Sequence, residues 1–300
     1  IDRNPYSEVA WHQLGRQYYA LKNYEKAVWA FDYATLIDET FLGAYMEKAK
    51  SYEKLKKYQE AIYDLEKVLK YNDSNETVLH MLAEAYRCRK KYDESICLIN
   101  KAIQINPDKW QYYSVRGLAY YRKNMYREAL DDHSTVVKNR TSFSEAWYRK
   151  GYCHLQLEEY KDALNCFKKA LDLGEKVYKD ENLRMALAYF KLGDFNSALT
   201  EIKAYNSGNL KNCFGYILEG DIQRALDNFN EAKIAYSKAY CIKPESKYLT
   251  KLLVKQCLLN SEYEKAYDYI KNSLNINNPT KVISNKTTKK LVLNITIVPN

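Results

Sequence analysis

Cys153 and His154 stand side by side and pair a sulfur nucleophile with a base able to take its proton, as cysteine hydrolases and transferases require. Neighbouring residues on a helix point about 100° apart, so these two side chains diverge, and no third group is in view to orient the base. The acidic doublets Asp131-Asp132 and Glu158-Glu159 could supply paired carboxylates for glycoside hydrolysis, but they read as solvated helix surface. His12 and His80 occupy one point of a longer pattern two periods apart, on different helices and too far apart to share a metal. His133 stands where an apolar residue is expected and His154 where a tyrosine is, so both read as packing histidines. Gly15, Gly117, Gly151 and Gly220 recur at one position instead of forming a phosphate loop. No His, Cys and carboxylate set has metal-ligand spacing. The chain is therefore read as non-enzymatic, with no catalytic residue, no metal and no cofactor.

The elements that carry these residues repeat. Trp11, Tyr45, Leu79, Tyr113 and Trp147 are 34 residues apart. A second series, Tyr24, Tyr58, Tyr92, Tyr126, Tyr160, Phe195, Phe229 and Tyr263, keeps that step except for one of 35. Three residues after each member comes a small one: Ala27, Ala61, Ser95, Ala129, Ala163, Ala198, Ala232 and Ala266. Within a period, Trp11, Leu14, Gly15 and Tyr18 follow the i, i+3, i+4, i+7 spacing of one helical face, and Tyr24, Ala27, Val28, Phe31 and Ala34 follow a second. Each period is thus a helical hairpin joined by a short polar link such as Lys22-Asn23. Gly15 and Ala27 let the two backbones approach.

Trp11, Leu14, Gly15, Tyr18, Ala27 and Phe31 resemble the tetratricopeptide repeat, whose signature is W-x2-L-G-x2-Y followed by A-x3-F in 34 residues. The resemblance, to a bacterial-type member, implies an all-α, right-handed superhelical solenoid of about eight repeats over 8–280, with frames 8–41, 42–75, 76–109, 110–143, 144–177, 179–212, 213–246 and 247–280. The sixth follows the inserted residue and carries Asn182 where a large apolar residue is usual. A local change of geometry near 174–182 and a longer loop near 206–212 are expected. Residues 281–300 form a basic and apolar tail outside the repeat, either a loose end or a strand-like arm.

Of nine net positive charges, four come from lysines after Thr280, where no acid occurs. A body so weakly basic argues against nucleic acid. No run of about 18 apolar residues occurs, so no membrane span is expected. Seven scattered cysteines without a C-x-x-C suit buried small groups in a reducing compartment, and hence a cytoplasmic protein; a chain opening on Ile1 leaves an exported form open.

The resemblance implies a binding scaffold or adaptor that grips a protein or extended peptide on the concave side, lined by the first helices. By carry-over that surface includes Arg16, Tyr19, Lys50, Arg87, Tyr121, Arg122, Tyr148, Arg149 and Tyr152, with Arg184 continuing it. Arginine forks suit carboxylates and tyrosines give broad contact with a polar tip, so an acidic or aromatic segment is the expected partner. The family's clamp for the acidic ends of chaperones is not matched: Glu47 and Glu84 stand where they would repel a carboxylate. The rival readings are a self-associating oligomer joined through the repeat ends or tail, and a binding fragment of a larger enzyme or of a secretion or regulatory protein.

Overall fold

The computed structural model describes residues 6–174 and 179–273. Among them are sixteen α-helices and no strand. They fall into two units, residues 1–157 and 158–300. The first holds α1 (Glu8–Ala20), α2 (Tyr24–Ile37), α3 (Leu42–Lys54), α4 (Tyr58–Tyr71), α5 (Glu76–Cys88), α6 (Tyr92–Ile105), α7 (Trp110–Arg122), α8 (Tyr126–Asn139) and α9 (Ser144–Gln156). The second holds α10 (Tyr160–Asp172), α11 (Glu181–Leu192), α12 (Phe195–Gly208), α13 (Cys213–Ala225), α14 (Phe229–Ile242), α15 (Lys247–Leu259) and α16 (Tyr263–Ser273). Within each unit every helix packs on the next in sequence. Each unit is therefore a stretch of all-α repeat solenoid, built from neighbour contacts and not around one centre.

Every member of the aromatic series opens a second helix, and every small residue three positions later is at most 2% exposed. The serine in that series shows how tight the approach is: Ser95 Oγ donates to the carbonyl of Ala83 on the facing helix at 2.7 Å. Gly15 and Gly220 meet rings directly, because a Cβ at either would collide with Phe31 or Tyr236. The hairpin turns carry little turn chemistry of their own. After each first helix one residue takes positive φ: Lys22, Lys56, Lys90, Asn124, Glu158, Gly193, Asp227 and Ser261. In the first turn the Lys22 and Asn23 amides donate to the carbonyls of Tyr19 and Tyr18, both at 2.9 Å, the paired bonds of a Schellman ending. Only one of the eight is glycine, so the packing of the two helices, not the residue, imposes the left-handed conformation.

The loop expected over 206–212 is shorter. Helix α12 runs through Gly208, because Asn206 is buried and donates to Glu219 at 2.8 Å, while Ser207 Oγ bonds the Ala204 carbonyl at 2.8 Å. Polar residues that favour loops in isolation are here satisfied inside the helix. Asn182, the other irregularity of this repeat, donates to Glu201 of α12 at 2.7 Å. Residues 175–178, within the stretch expected to change geometry, and the tail 281–300 lie outside the described residues.

Candidate functional site

First helices do more than pair with their own partners. In the first unit α1 also touches α3, and α5 touches α7; in the second, α11 touches α13. No two second helices within a unit make a comparable contact. These contacts make the first helices the more crowded side of each unit, and the sequence-predicted site residues of the first unit are all carried on them.

That surface is less basic than its arginines suggest. Lys50 is paired with Glu47 at 2.8 Å, Arg87 with Glu84 at 3.6 Å, and Arg149 with Glu145, each on its own helix. In the second unit Arg184 is likewise paired with Asp180 at 2.6 Å. Such i,i+3 and i,i+4 pairs are worth a few tenths of a kcal/mol each, but they neutralise the cations they involve. Arg16 and Arg122 differ: both are exposed, and among the described residues neither has a carboxylate within ion-pair distance. The Arg122 guanidinium lies 5.7 Å over the Tyr121 ring. Tyr121 in turn meets Tyr152 edge-on at 5.0 Å and Tyr126 at 6.1 Å. Tyr19 is half-buried against Tyr24 at 5.3 Å. Tyr148, assigned to the open surface by carry-over, is only 5% exposed and is a packing group. So the structure joins Tyr121, Arg122 and Tyr152 into one cluster, and leaves Arg16, Tyr19, Lys50 and Arg87 on separate helices or in separate pairs.

The histidines pack against other side chains. His12 lies against Phe31 and Phe41, with centroids 5.6 and 5.0 Å apart, and His80 against Tyr112 at 5.2 Å. Among the described residues no His, Cys and carboxylate group is arranged to hold a metal. Cys153 is fully buried and His154 half-buried. His133 is 1% exposed and lies against the Gly117 backbone. Burial, reinforced by the charge of Arg149, depresses it to about 3, so it is neutral in the fold. A histidine whose pKa falls on folding contributes stability above its unfolded value near 6.5, and that stability is lost as pH falls toward 3. His133→Leu should therefore lose less stability than the wild type between pH 7 and pH 4.5, as measured by denaturant unfolding at both. Asp64, raised to about 6 by burial, acts in the opposite sense over 6 to 4, but equally in both proteins.

The sequence reading missed two ionic clusters, each built on a buried aspartate. Lys48 Nζ is 3.0 Å from both Asp32 Oδ1 and Asp64 Oδ1. Arg116 grips Asp132 with Nε and Nη2 at 2.9 and 2.7 Å and gives Nη1 to Asn100 at 2.7 Å. The two clusters occupy identical repeat positions two periods apart: a cation where Leu14 and Leu82 stand, an aspartate sixteen residues on, and an acceptor from the preceding hairpin. The signal was in the sequence. Lys48 with Asp64 and Arg116 with Asp132 alternate with Leu82 and Leu98 at the same two positions.

A chain of helical hairpins with a crowded side of first helices is the architecture of a repeat scaffold. The tetratricopeptide repeat pattern matches residues 42–75 and 144–176. Solved structures share the fold. A tetratricopeptide repeat protein from Parabacteroides merdae is 19% identical with a TM-score of 0.58, over 86% of this chain and 99% of its own. YrrB, described as a TPR protein with an unusual peptide-binding site, is 20% identical at 0.51, over 59% and 91%. MamA from Desulfovibrio magneticus is 19% identical at 0.52, over 56% and 94%. No curated protein sequence matches the chain significantly. Residues 42–75 and 144–176 thus carry tetratricopeptide repeats within a solenoid of the same fold, and proteins of this kind are in general scaffolds for interaction with other proteins. No helix among the described residues is long and apolar enough to cross a membrane.

Proposed function

We propose that the first-helix side of the first unit docks an extended segment of a partner protein, anchored where α7 and α9 bring Tyr121, Arg122 and Tyr152 together. The observation that carries this reading is the contrast among the cations. Lys50, Arg87 and Arg149 are neutralised on their own helices, whereas Arg122 is exposed above a tyrosine ring. A guanidinium held over an aromatic face keeps its donors for a carboxylate, and the adjoining rings offer contact area at low entropic cost. An acidic residue next to an aromatic one is the complementary ligand. That a protein of the same fold is described as peptide-binding supports the class of ligand. Arg149 is unsuited to testing this, since Arg149→Glu would set two carboxylates together on α9.

Arg122→Glu should weaken a partner purified from the source cell about tenfold, and raising salt from low to about 0.5 M should weaken the wild-type complex similarly, because desolvated charge contacts and long-range attraction are both lost. Calorimetric titration of that partner reads both. Equal affinities for wild type and Arg122→Glu at either salt would remove this cluster from the binding surface.

A further inference from the structure

A second site lies on the α3–α4 hairpin, beside the point where Lys48 reaches across to Asp32 of α2. A cavity of about 350 Å³ is lined there by Lys48, Tyr52, Gln59, Glu60, Tyr63 and Asp64. Asp64 is its floor. Its side chain is 2% exposed, Oδ1 takes Lys48 at 3.0 Å, and Oδ2 has no hydrogen-bond partner. A buried carboxylate oxygen without a donor is costly to leave unmet. Glu60 is exposed on the rim, and Tyr63 is 70% exposed, with Tyr52 half-buried opposite. The surrounding charges are Asp32, Glu60 and Asp64 against Lys48 and Lys67. Lys67 is turned to Tyr45, whose hydroxyl it meets at 2.6 Å, so the cavity keeps an acidic balance. Two carboxylates and two phenol rings are a poor set for a divalent metal, which takes several oxygen or nitrogen ligands at fixed geometry. They suit an organic cation, whose donors reach the carboxylates while its flat face stacks on tyrosine.

We propose that this pocket binds an arginine side chain presented by a partner protein, a docking point separate from the α7–α9 cluster and of opposite ligand charge. A guanidinium fits better than an ammonium, because one edge can face the Asp64 carboxylate and another donate to Glu60 while the plane lies on Tyr63. Burial already holds the Asp64 carboxyl high, at about 6, against the pull of Lys48. An arriving cation favours its ionised form, so binding strengthens from pH 5 to pH 7.5.

The probe is the tripeptide acetyl-Gly-Arg-Gly-amide, titrated into the full chain by saturation-transfer NMR, with the citrulline tripeptide as its neutral isostere. Binding of one side chain is weak, with a dissociation constant on the order of millimolar. The expected result is saturable arginine binding at least about fivefold tighter than citrulline. Tyr63→Ala and Glu60→Gln should each weaken it about threefold or more, and Tyr71→Ala, further along α4 and outside the cavity, should leave it unchanged. Circular dichroism checks that these exposed-residue variants fold. Equal binding of arginine and citrulline, no saturable binding by about 20 mM, no loss in Tyr63→Ala and Glu60→Gln, or an equal loss in Tyr71→Ala would each overturn the proposal.

Discussion

Asp132→Ala is expected to destabilise the first unit by about 3 kcal/mol, the lower end of what breaking a buried ion pair costs. The lower end applies because Arg116 keeps 22% of its side chain in water while Asp132 keeps 4%. Removing the carboxylate strands a guanidinium that donates two of its bonds to it, leaving it the hydrogen bond to Asn100 and the rings of Tyr113 and Tyr120. The pair itself is not a net gain over apolar packing. Burial holds the Asp132 carboxyl above its usual range despite Arg116, so desolvation outweighs the attraction. The third repeat already contains the apolar version: Leu82 is 3% exposed, and Leu98 packs against the cluster that contains it. Hence Arg116→Leu with Asp132→Leu should recover most of the loss, or exceed wild type, while either single change is costly. Denaturant unfolding of the four proteins of this cycle gives the coupling directly. Purely additive effects would mean that Arg116 and Asp132 do not depend on each other. Because a solenoid unfolds repeat by repeat, hydrogen exchange should place the damage in α7, α8 and their neighbours.

What was legible in the sequence followed from the period. Small residues recurring three places after an aromatic can only mean helices in close approach, and the structure buries all of them. The turns were legible only as gaps between periods, since lysine, asparagine, glutamate, aspartate and serine hold positive φ there under duress from packing. The loop near 206–212 was overdrawn because composition cannot show that Asn206 finds Glu219. The first-helix surface was half legible. Periodicity put Arg87, Arg122 and Arg149 on first helices, but exposed and paired cations differ only by an acid three or four residues earlier. Glu84 and Glu145 stand there for Arg87 and Arg149, whereas Leu118 and Ala119 offer Arg122 none. Tyr148 was misplaced because a one-residue rotation about a helix separates groove from core. The acidic pocket on α3–α4 could not have been read from the period, since it depends on one buried oxygen of Asp64 lacking a donor.

Gly220→Ala should lower the stability of the second unit by about 1–3 kcal/mol or more, despite being a change that usually favours helices. Alanine is better than glycine in a helix interior by about 1 kcal/mol, so the steric term must exceed that for the sign to hold. It does so because the new Cβ on α13 would lie 2.5 Å from Tyr236 Cδ1 and 2.8 Å from its Cζ, and closer still to Cε1. Tyr236 cannot easily retreat. It is fully buried against Ala232 and Leu253, and its hydroxyl donates to Asp221 at 2.7 Å. The chain supplies its own control, because the residue opposite this position changes with it. Gly15, Gly117 and Gly220 face Phe31, His133 and Tyr236, whereas Ala49, Ala83 and Ala186 have Leu65, Ile99 and Ile202 at the matching place. Gly220→Ala combined with Tyr236→Ile should therefore lose less than the two single changes together. Gly43→Ala, where a Cβ meets only Phe41 at an ordinary 3.5 Å, should be neutral or stabilising by a few tenths of a kcal/mol. Thermal and denaturant unfolding of these variants separate the two contributions: a stable Gly220→Ala would mean that α13 and α14 can move apart at no cost, and that the pairing of glycine with rings along the chain has no packing origin.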